Sequence, residues 1–206
     1  MFKRVLIILI IFTLIHDLVV FAEMPKAYGD ENEIWEYLSK YSPYDTINAG
    51  IMGYFFRESR LKSTAIAGWG DRNLNLKKDI CETFTKQIDE GIKDGSTKET
   101  FVTLISKTYG GYGLGQWYSV NYLEHLYDLA QEENKSIGDV ELQCKFVIES
   151  LQKNEDLWNE LLDCSTAIQC GRRIGKKYDC TDEEGAEAIA SFADYYYRKM
   201  VNYEET

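Results

Sequence analysis

The chain has 206 residues, of which 45% are hydrophobic and only two are proline, a composition typical of one globular domain with its own core. Its formal net charge is −11. That charge opposes binding to nucleic acids and to anionic surfaces, so no nucleic-acid partner is predicted.

The first 22 residues have the pattern of an export signal. Lys3 and Arg4 precede an apolar run over 5–15, and small or β-branched residues before position 23 predict cleavage after Ala22. An uncleaved membrane anchor is the alternative, but the run is shorter than the ~20 residues that span a bilayer. We therefore expect a secreted or cell-wall-associated protein, bound to the membrane only if this segment is uncleaved. Residues 23–31 are predicted to be a linker, and 32–203 one domain.

The rest of the chain has the apolar periodicity of helices, and no run alternates as a strand does. The predicted helices are 32–40, 46–60, 77–93, 98–108, 119–133, 139–152, 154–163, 165–176 and 182–200. Asp45 or Thr46 is predicted to cap the second helix, Thr181 and Glu184 to form a capping box for the last, and 61–76 to be a loop. The predicted fold class is all-α, with no Rossmann unit or P-loop, and no cofactor is predicted.

Glu58 lies near the end of the second predicted helix, eleven residues after Ile47 and therefore close to three turns along the same face. The apolar side chains of that face are Ile47, Ile51, Tyr54 and Phe55. A carboxyl held against apolar neighbours is desolvated, which favours the protonated form that a general acid needs. Arg57 and Arg60 fall on other faces, so neither is expected to neutralise it. A structural carboxylate at a helix end is the alternative.

A glycine-aromatic run follows over 110–117, with four glycines in its first six residues. Glycine allows a close approach of backbone to ligand, but no Lys-Ser/Thr follows, so phosphate binding is not indicated. Tyr112 and Trp117 offer flat apolar faces with polar edges, and Gln116 offers both a donor and an acceptor. This combination suits a polyhydroxylated, amide-bearing sugar. A tight turn with two core aromatics is the alternative.

These two motifs resemble those of known cell-wall enzymes. Glu58-Ser59 followed by Gly-Leu-Gly-Gln-Trp resembles the Glu-Ser and Gly-Leu-x-Gln motifs of goose-type lysozymes and soluble lytic transglycosylases. The chain is more similar to the phage tail lysozyme family, in which an Ala-Gly-hydrophobic-hydrophobic-Gly helix, here 49–53, leads to Glu-Ser. The family's Gly-Tyr-Gly-Leu-x-Gln-Trp is intact over 111–117, and the similarity covers most of 33–200.

The resemblance implies a lysozyme-like helical domain that cleaves the β-1,4 bond between N-acetylmuramic acid and N-acetylglucosamine in peptidoglycan. It implies that Glu58 is the general acid, that Gln116 hydrogen-bonds a sugar and that Tyr112 and Trp117 line the cleft, with Ser59 among the substrate-binding residues. The chain departs from the family pattern over 61–110, which is predicted to be a two-helix insertion between the motifs. We expect a monomer that acts on glycan strands.

The sequence leaves the reaction open between a hydrolase and a lytic transglycosylase. A hydrolase needs a second carboxylate as nucleophile or base, whereas in a transglycosylase the 6-hydroxyl of the substrate closes the ring. Asp71 is the best predicted second carboxylate because it follows the helix of the acid, although a turn or capping role is the alternative. A glycan-binding module on the same fold, or a secreted helical protein that binds another protein, would need no acid at all.

Five cysteines follow the export segment. They contain no C-x-x-C spacing and the chain has only two histidines, so no metal site is predicted. Export makes disulfides possible, with Cys170–Cys180 and Cys144–Cys164 as candidate pairs. Reduced, buried thiols, Cys81 among them, are the alternative.

Overall fold

The computed structural model describes residues 25–67 and 74–201. Its α-helices in those ranges are α1 Glu31–Tyr41, α2 Asp45–Ser59, α3 Leu74–Asp89, α4 Lys98–Leu104, α5 Val120–Glu133, α6 Val140–Lys153, α7 Glu155–Leu162, α8 Ala167–Lys177 and α9 Glu183–Val201, with a π-helical turn at Ile105–Tyr109. No strand occurs among the described residues, where Tyr112 makes isolated bridges with Ile66 and Trp117. The all-α prediction is confirmed.

The predicted caps of two helices differ from those in the structure, and α3 begins at Leu74, inside the loop predicted over 61–76. Asp45 is the first residue of α2 and Tyr44 occupies the cap position without a side-chain bond, so neither Asp45 nor Thr46 caps this helix. Asp182, rather than Thr181, caps α9, because its Oδ1 accepts a hydrogen bond from the Gly185 N–H at 2.8 Å. The Thr181 hydroxyl instead bonds the Arg57 side chain.

The helix α2 is the centre of the domain and packs against α1, α8 and α9. Every residue from 47 to 56 is buried, so over this length α2 has no solvent face, although the sequence suggested a single apolar stripe. Gly53 allows this packing, since a Cβ there would lie 2.5 Å from the Ile189 carbonyl oxygen of α9. Arg57 and Glu58 are the first side chains beyond the buried length to reach solvent. The predicted acid is therefore carried by a helix that the core holds on all sides.

The segment between the two motifs packs behind the glycine-rich loop, defined here as 110–117. Phe84 of α3 and Phe101 of α4 lie 6.2 and 5.3 Å from the Tyr112 ring, centroid to centroid. Thr85 and Tyr112 share a hydrogen bond of 2.8 Å between their hydroxyl oxygens. The described part of 61–110 thus forms part of the hydrophobic core beneath this loop. That 61–110 is an insertion relative to the family pattern stays a prediction.

Residues 25–30 lie against the helical domain. The Tyr28 N–H donates to the Arg60 carbonyl at 2.8 Å, and the Asp30 carboxylate caps α1. The predicted signal peptide, 1–22, and the first two residues of the predicted linker lie outside the described residues. Within the described ranges, no helix combines the length and apolar character needed to cross a bilayer.

All five cysteines are free thiols, so neither predicted disulfide is formed. The Cys144 thiol donates to the Ile34 carbonyl between α6 and α1, whereas Cys164 lies in the turn after α7. Cys170 lies in the first half of α8, whereas Cys180 lies three residues beyond its end. The fold instead brings Cys164 next to Cys170.

Candidate active site

The last turn of α2 presents Glu58 and Arg57 as an ion pair. The side chain of Glu58 is 19% exposed and that of Arg57 is 31% exposed, and Arg57 Nη1 donates to Glu58 Oε1. The expectation that Arg57 leaves Glu58 unneutralised is therefore wrong. Consecutive side chains leave a helix ~100° apart, but the long guanidinium side chain is drawn back towards Glu58 by two further partners. These partners are Asp179 and Thr181, whose hydroxyl accepts from Arg57 Nη2 at 3.1 Å.

Asp179 is a second carboxylate beside this pair. It follows α8, and its backbone N–H donates to the Ile174 carbonyl at 3.0 Å, which turns the chain back at the end of the helix. Its Oδ2 lies 3.5 Å from Arg57 Nη1, and its side chain is 17% exposed. Burial raises the pKa of Asp179 to about 6; the charge of Glu58 raises it further and Arg57 opposes the shift. Asp179 can therefore hold a proton close to neutral pH, unlike an ordinary aspartate.

The carboxylate cluster is defined as Arg57, Glu58 and Asp179. Its net charge depends on whether Asp179 holds a proton. When Asp179 is protonated, Arg57 and Glu58 form a neutral pair; when Asp179 ionises, two carboxylates share one guanidinium in a poorly solvated place. Such a cluster suits general acid–base chemistry.

The glycine-rich loop is attached to the same end of α2. The Ser59 hydroxyl lies 2.8 Å from the Leu114 carbonyl and 3.0 Å from that of Phe55, and it donates its single hydrogen to one of them at a time. The Tyr54 hydroxyl donates to the Gly115 carbonyl, and burial raises the pKa of Tyr54 well above its ordinary value, so it stays a donor. The structure thus brings the two sequence motifs together. Ser59 itself is buried and uses its hydroxyl within the protein.

Tyr112 and Trp117 lie inside the domain, with 0% and 2% of their surface exposed. The Trp117 ring packs edge-on against Phe146 at 4.8 Å between centroids, and its Nε1–H donates to the Tyr178 hydroxyl at 3.2 Å. In this conformation neither ring offers a face to a sugar, and the alternative of a tight turn with two core aromatics describes them. Trp117 contacts the site only indirectly, through Tyr178, the residue that precedes Asp179.

Gln116 is partly exposed, unlike the two aromatic residues of the loop. Its Nε2 donates to the Ala65 carbonyl at 3.1 Å and to the Gly113 carbonyl at 2.8 Å. Both hydrogens of the Gln116 amide therefore stabilise the turn. A ligand that meets Gln116 would find its acceptor atom, Oε1.

Gln143 of α6 holds the loop in place and was not predicted from the sequence. It is fully buried, and its amide group bonds the Leu114 N–H at 2.8 Å, the Ser63 carbonyl at 2.9 Å and the Ile137 carbonyl at 2.7 Å. Gly113 must be glycine, because its φ is +78° and a Cβ would lie 2.6 Å from Gln143 Oε1. A signal for Gln143 did exist, since it lies three residues after Val140 and four before Val147 on the apolar face.

The second carboxylate has no comparable sequence signal. Asp179 lies 121 residues after Glu58, and no periodicity or motif marks it. Asp71, the predicted second carboxylate, lies outside the described residues. Among the described residues, no group of three or more His, Cys, Asp and Glu side chains is placed to hold a metal ion.

The match to a known protein family extends over the elements that form this site. The model of the phage tail lysozyme family matches residues 30–200, which include both motifs and Asp179. No curated protein and no solved structure matches the chain. On this match over most of its length, the chain belongs to the phage tail lysozyme family.

Proposed function

We propose that this protein is an exported muramidase that hydrolyses the β-1,4 bond between N-acetylmuramic acid and N-acetylglucosamine in peptidoglycan. Membership of the family supports a lysozyme-like enzyme that degrades peptidoglycan. The carboxylate cluster carries the finer assignment, because one guanidinium joins Glu58 to a second carboxylate, Asp179, whose pKa is raised by burial. Export through 1–22 with cleavage after Ala22 would deliver the enzyme to its substrate.

Glu58 is the general acid of the proposed reaction. It takes up the proton of Asp179 as Arg57 moves from Glu58 to the newly ionised Asp179, and it then protonates the leaving oxygen of the glycosidic bond. Asp179 is left as the second carboxylate. One Arg57 nitrogen contacts both carboxylates, so their nearest oxygens lie closer than the ~6.5 Å at which inverting pairs begin. This closeness favours a retaining mechanism with Asp179 as nucleophile.

Substrate contact in the loop is assigned to Gln116, whose Oε1 can accept a hydrogen bond from a sugar hydroxyl or N-acetyl N–H. Ser59, Tyr112 and Trp117 are assigned supporting roles, because their polar groups are engaged inside the domain. Trp117 positions Asp179 through Tyr178. A contribution from Asp71 stays a prediction, because Asp71 lies outside the described residues.

The test is digestion of purified peptidoglycan by the wild type, Glu58→Gln and Asp179→Asn, with product masses and end groups determined. Glu36→Gln, which changes an exposed glutamate of α1, is the matched control and should digest as the wild type does. We expect muramic acid reducing ends from the wild type and no product from either site variant. Equal product from Glu58→Gln would overturn the assignment of the acid.

The same experiment separates the two remaining alternatives. A lytic transglycosylase would release 1,6-anhydro ends, and Asp179→Asn would keep this activity because no second carboxylate is required. A glycan-binding module would release nothing but would sediment with insoluble peptidoglycan in both the wild-type and the Glu58→Gln forms.

A further inference from the structure

Cys164, in the connection between α7 and α8, and Cys170, in the first turn of α8, have sulfur atoms that face the same end of α7. The Cys164 thiol donates to the Glu160 carbonyl at 3.5 Å, and the Cys170 thiol donates to the Leu161 carbonyl at 3.7 Å. Because these carbonyls belong to consecutive residues, both sulfurs lie at the end of α7. The local fold therefore places the two thiols side by side at this helix end.

The surroundings of the two sulfurs differ. Arg173 Nη1 lies 3.1 Å from Cys164 Sγ, whereas Cys170 is fully buried against α2, where a Cβ on Gly50 would lie 3.0 Å from its own Cβ. The hydrogen bond from Cys170 lowers the pKa of Cys164 to about 7, and the Arg173 guanidinium adds to this effect. The same hydrogen bond, together with burial, raises the pKa of Cys170. The pair thus has one thiolate near neutral pH and one protonated thiol, an asymmetry common in redox-active dithiols.

We propose that Cys164 and Cys170 are a redox-active dithiol that disulfide compounds convert into an intramolecular disulfide. The Cys164 thiolate attacks one sulfur of a disulfide R–S–S–R, which releases one R–S⁻ and forms a mixed disulfide. Cys170 then loses its proton to the released thiolate and attacks Cys164 Sγ, which expels the second R–S⁻. Overall the two protein thiols are oxidised to one disulfide and R–S–S–R is reduced to two thiols.

Access fits this order of attack. Cys164 is 9% exposed and lies in a turn, whereas Cys170 has no exposed surface. The other three thiols lack this arrangement: Cys81 is buried in the core, Cys144 contacts a carbonyl between two helices, and Cys180 is exposed beyond the end of α8. Cys164 is therefore the attacking sulfur and Cys170 the resolving one.

Oxidation would tie the end of α7 to the first turns of α8. This helix packs against α2 at its first half and leads to Tyr178 and Asp179 at its far end. A disulfide at Cys164–Cys170 restricts the unfolded chain and should make the domain more stable. The inference does not depend on the proposed glycosidase activity, because its measurements concern only the thiols and the stability.

The experiment treats the purified, reduced protein with oxidised glutathione at pH 7 and follows intact mass, peptide linkage and melting temperature. We expect the loss of two hydrogens, counted apart from glutathione bound to the exposed Cys180, a Cys164–Cys170 linkage in the peptide map and a melting temperature raised by roughly 5 °C. Cys164→Ser and Cys170→Ser should lose the linkage and the rise. Cys180→Ser is the matched control and should keep both.

Two results would overturn the proposal. One is a stable glutathione adduct on Cys164 with Cys170 still reduced, and the other is a linkage that joins either residue to Cys144 or Cys180. Arg173→Gln supplies a measurement that does not require loss of a cysteine: its initial exchange rate at pH 6 should fall several-fold, because less of Cys164 is thiolate. An unchanged rate in this variant would also count against the assigned roles.

Discussion

The glycine-rich loop and the carboxylate cluster meet at the same end of α2 but are built in opposite ways. In the loop, polar groups find partners inside the protein, through Gln143, Ser59 and Tyr54. In the cluster, two carboxylates compete for one guanidinium and all three side chains are partly exposed. A fully paired region has one stable arrangement, whereas a cluster short of a cation can change its protonation. We infer that the loop supports the site and that the cluster performs the chemistry.

The largest effect on activity is expected from Glu58→Gln. An amide cannot deliver the proton, so the rate of peptidoglycan solubilisation should fall by at least ~100-fold. The melting temperature should change little, because the side chain is partly exposed and glutamine can still accept a hydrogen bond from Arg57. Initial rates and thermal unfolding of the same preparations check both statements. If the variant lost stability together with activity, Glu58 would be a structural residue. The proposed difference between a supporting loop and a reactive cluster would then be wrong.

The largest effect on stability is expected from Gln143→Ala. The variant leaves three backbone groups without their partner, two of them on buried residues, and should lower the free energy of unfolding by about 3 kcal/mol. Urea unfolding measures this loss. Gln152→Ala, at an exposed position of the same helix, is the matched control. A loss of stability no greater than that of the control would show that Gln143 does not stabilise the loop.

Asp179→Asn should change stability and activity in opposite directions. Because folding raises the pKa of Asp179 from 3.8 to about 6, wild-type stability should fall as the pH rises through this window, where the folded state binds more protons than the unfolded state. Asparagine cannot ionise, so above pH 6 the variant should be more stable than the wild type by about 2 kcal/mol, allowing for the lost Arg57 pair.

Unfolding in urea from pH 4 to pH 8 tests this prediction. The two proteins should have similar stability at pH 4 and diverge between pH 4 and pH 6, with a constant difference at higher pH, while the variant loses hydrolytic activity. If Asp179→Asn were less stable at pH 8, attraction to Arg57 would outweigh the cost of burying this carboxylate.

The smallest effect is expected from Ser59→Ala. Loss of the contact between the Ser59 hydroxyl and Leu114 should cost about 1 kcal/mol of stability and loosen the loop. Ser191→Ala is a matched control, since Ser191 also bonds the carbonyl four residues before it, at 2.9 Å, but is exposed. Denaturant unfolding of both variants isolates the interaction with the loop. Equal losses would show that Ser59 does not connect the two regions.

Most helices could be predicted because their apolar residues recur at helical spacing. The predicted 119–133 differs from α5 by one residue at its start, and the predicted 139–152 differs from α6 by one residue at each end. The surroundings of α2 could not be predicted in this way, because a helix buried on every side has no single apolar face. The aromatic residues of the loop had two interpretations for a related reason, since composition does not tell whether Tyr112 and Trp117 face a ligand or the core.

The sequence by itself determined the all-α class, the family and the two motifs, Glu58-Ser59 and the glycine-rich run, because these depend on short-range spacing and adjacent residues. Only the tertiary structure decided which charges surround Glu58. Arg57 turns towards it because α8 packs on α2 and brings Asp179 and Thr181 from the far end of the chain. Electrostatic environment depends on distance in space rather than on distance along the chain. The second carboxylate could therefore be found only in the folded protein.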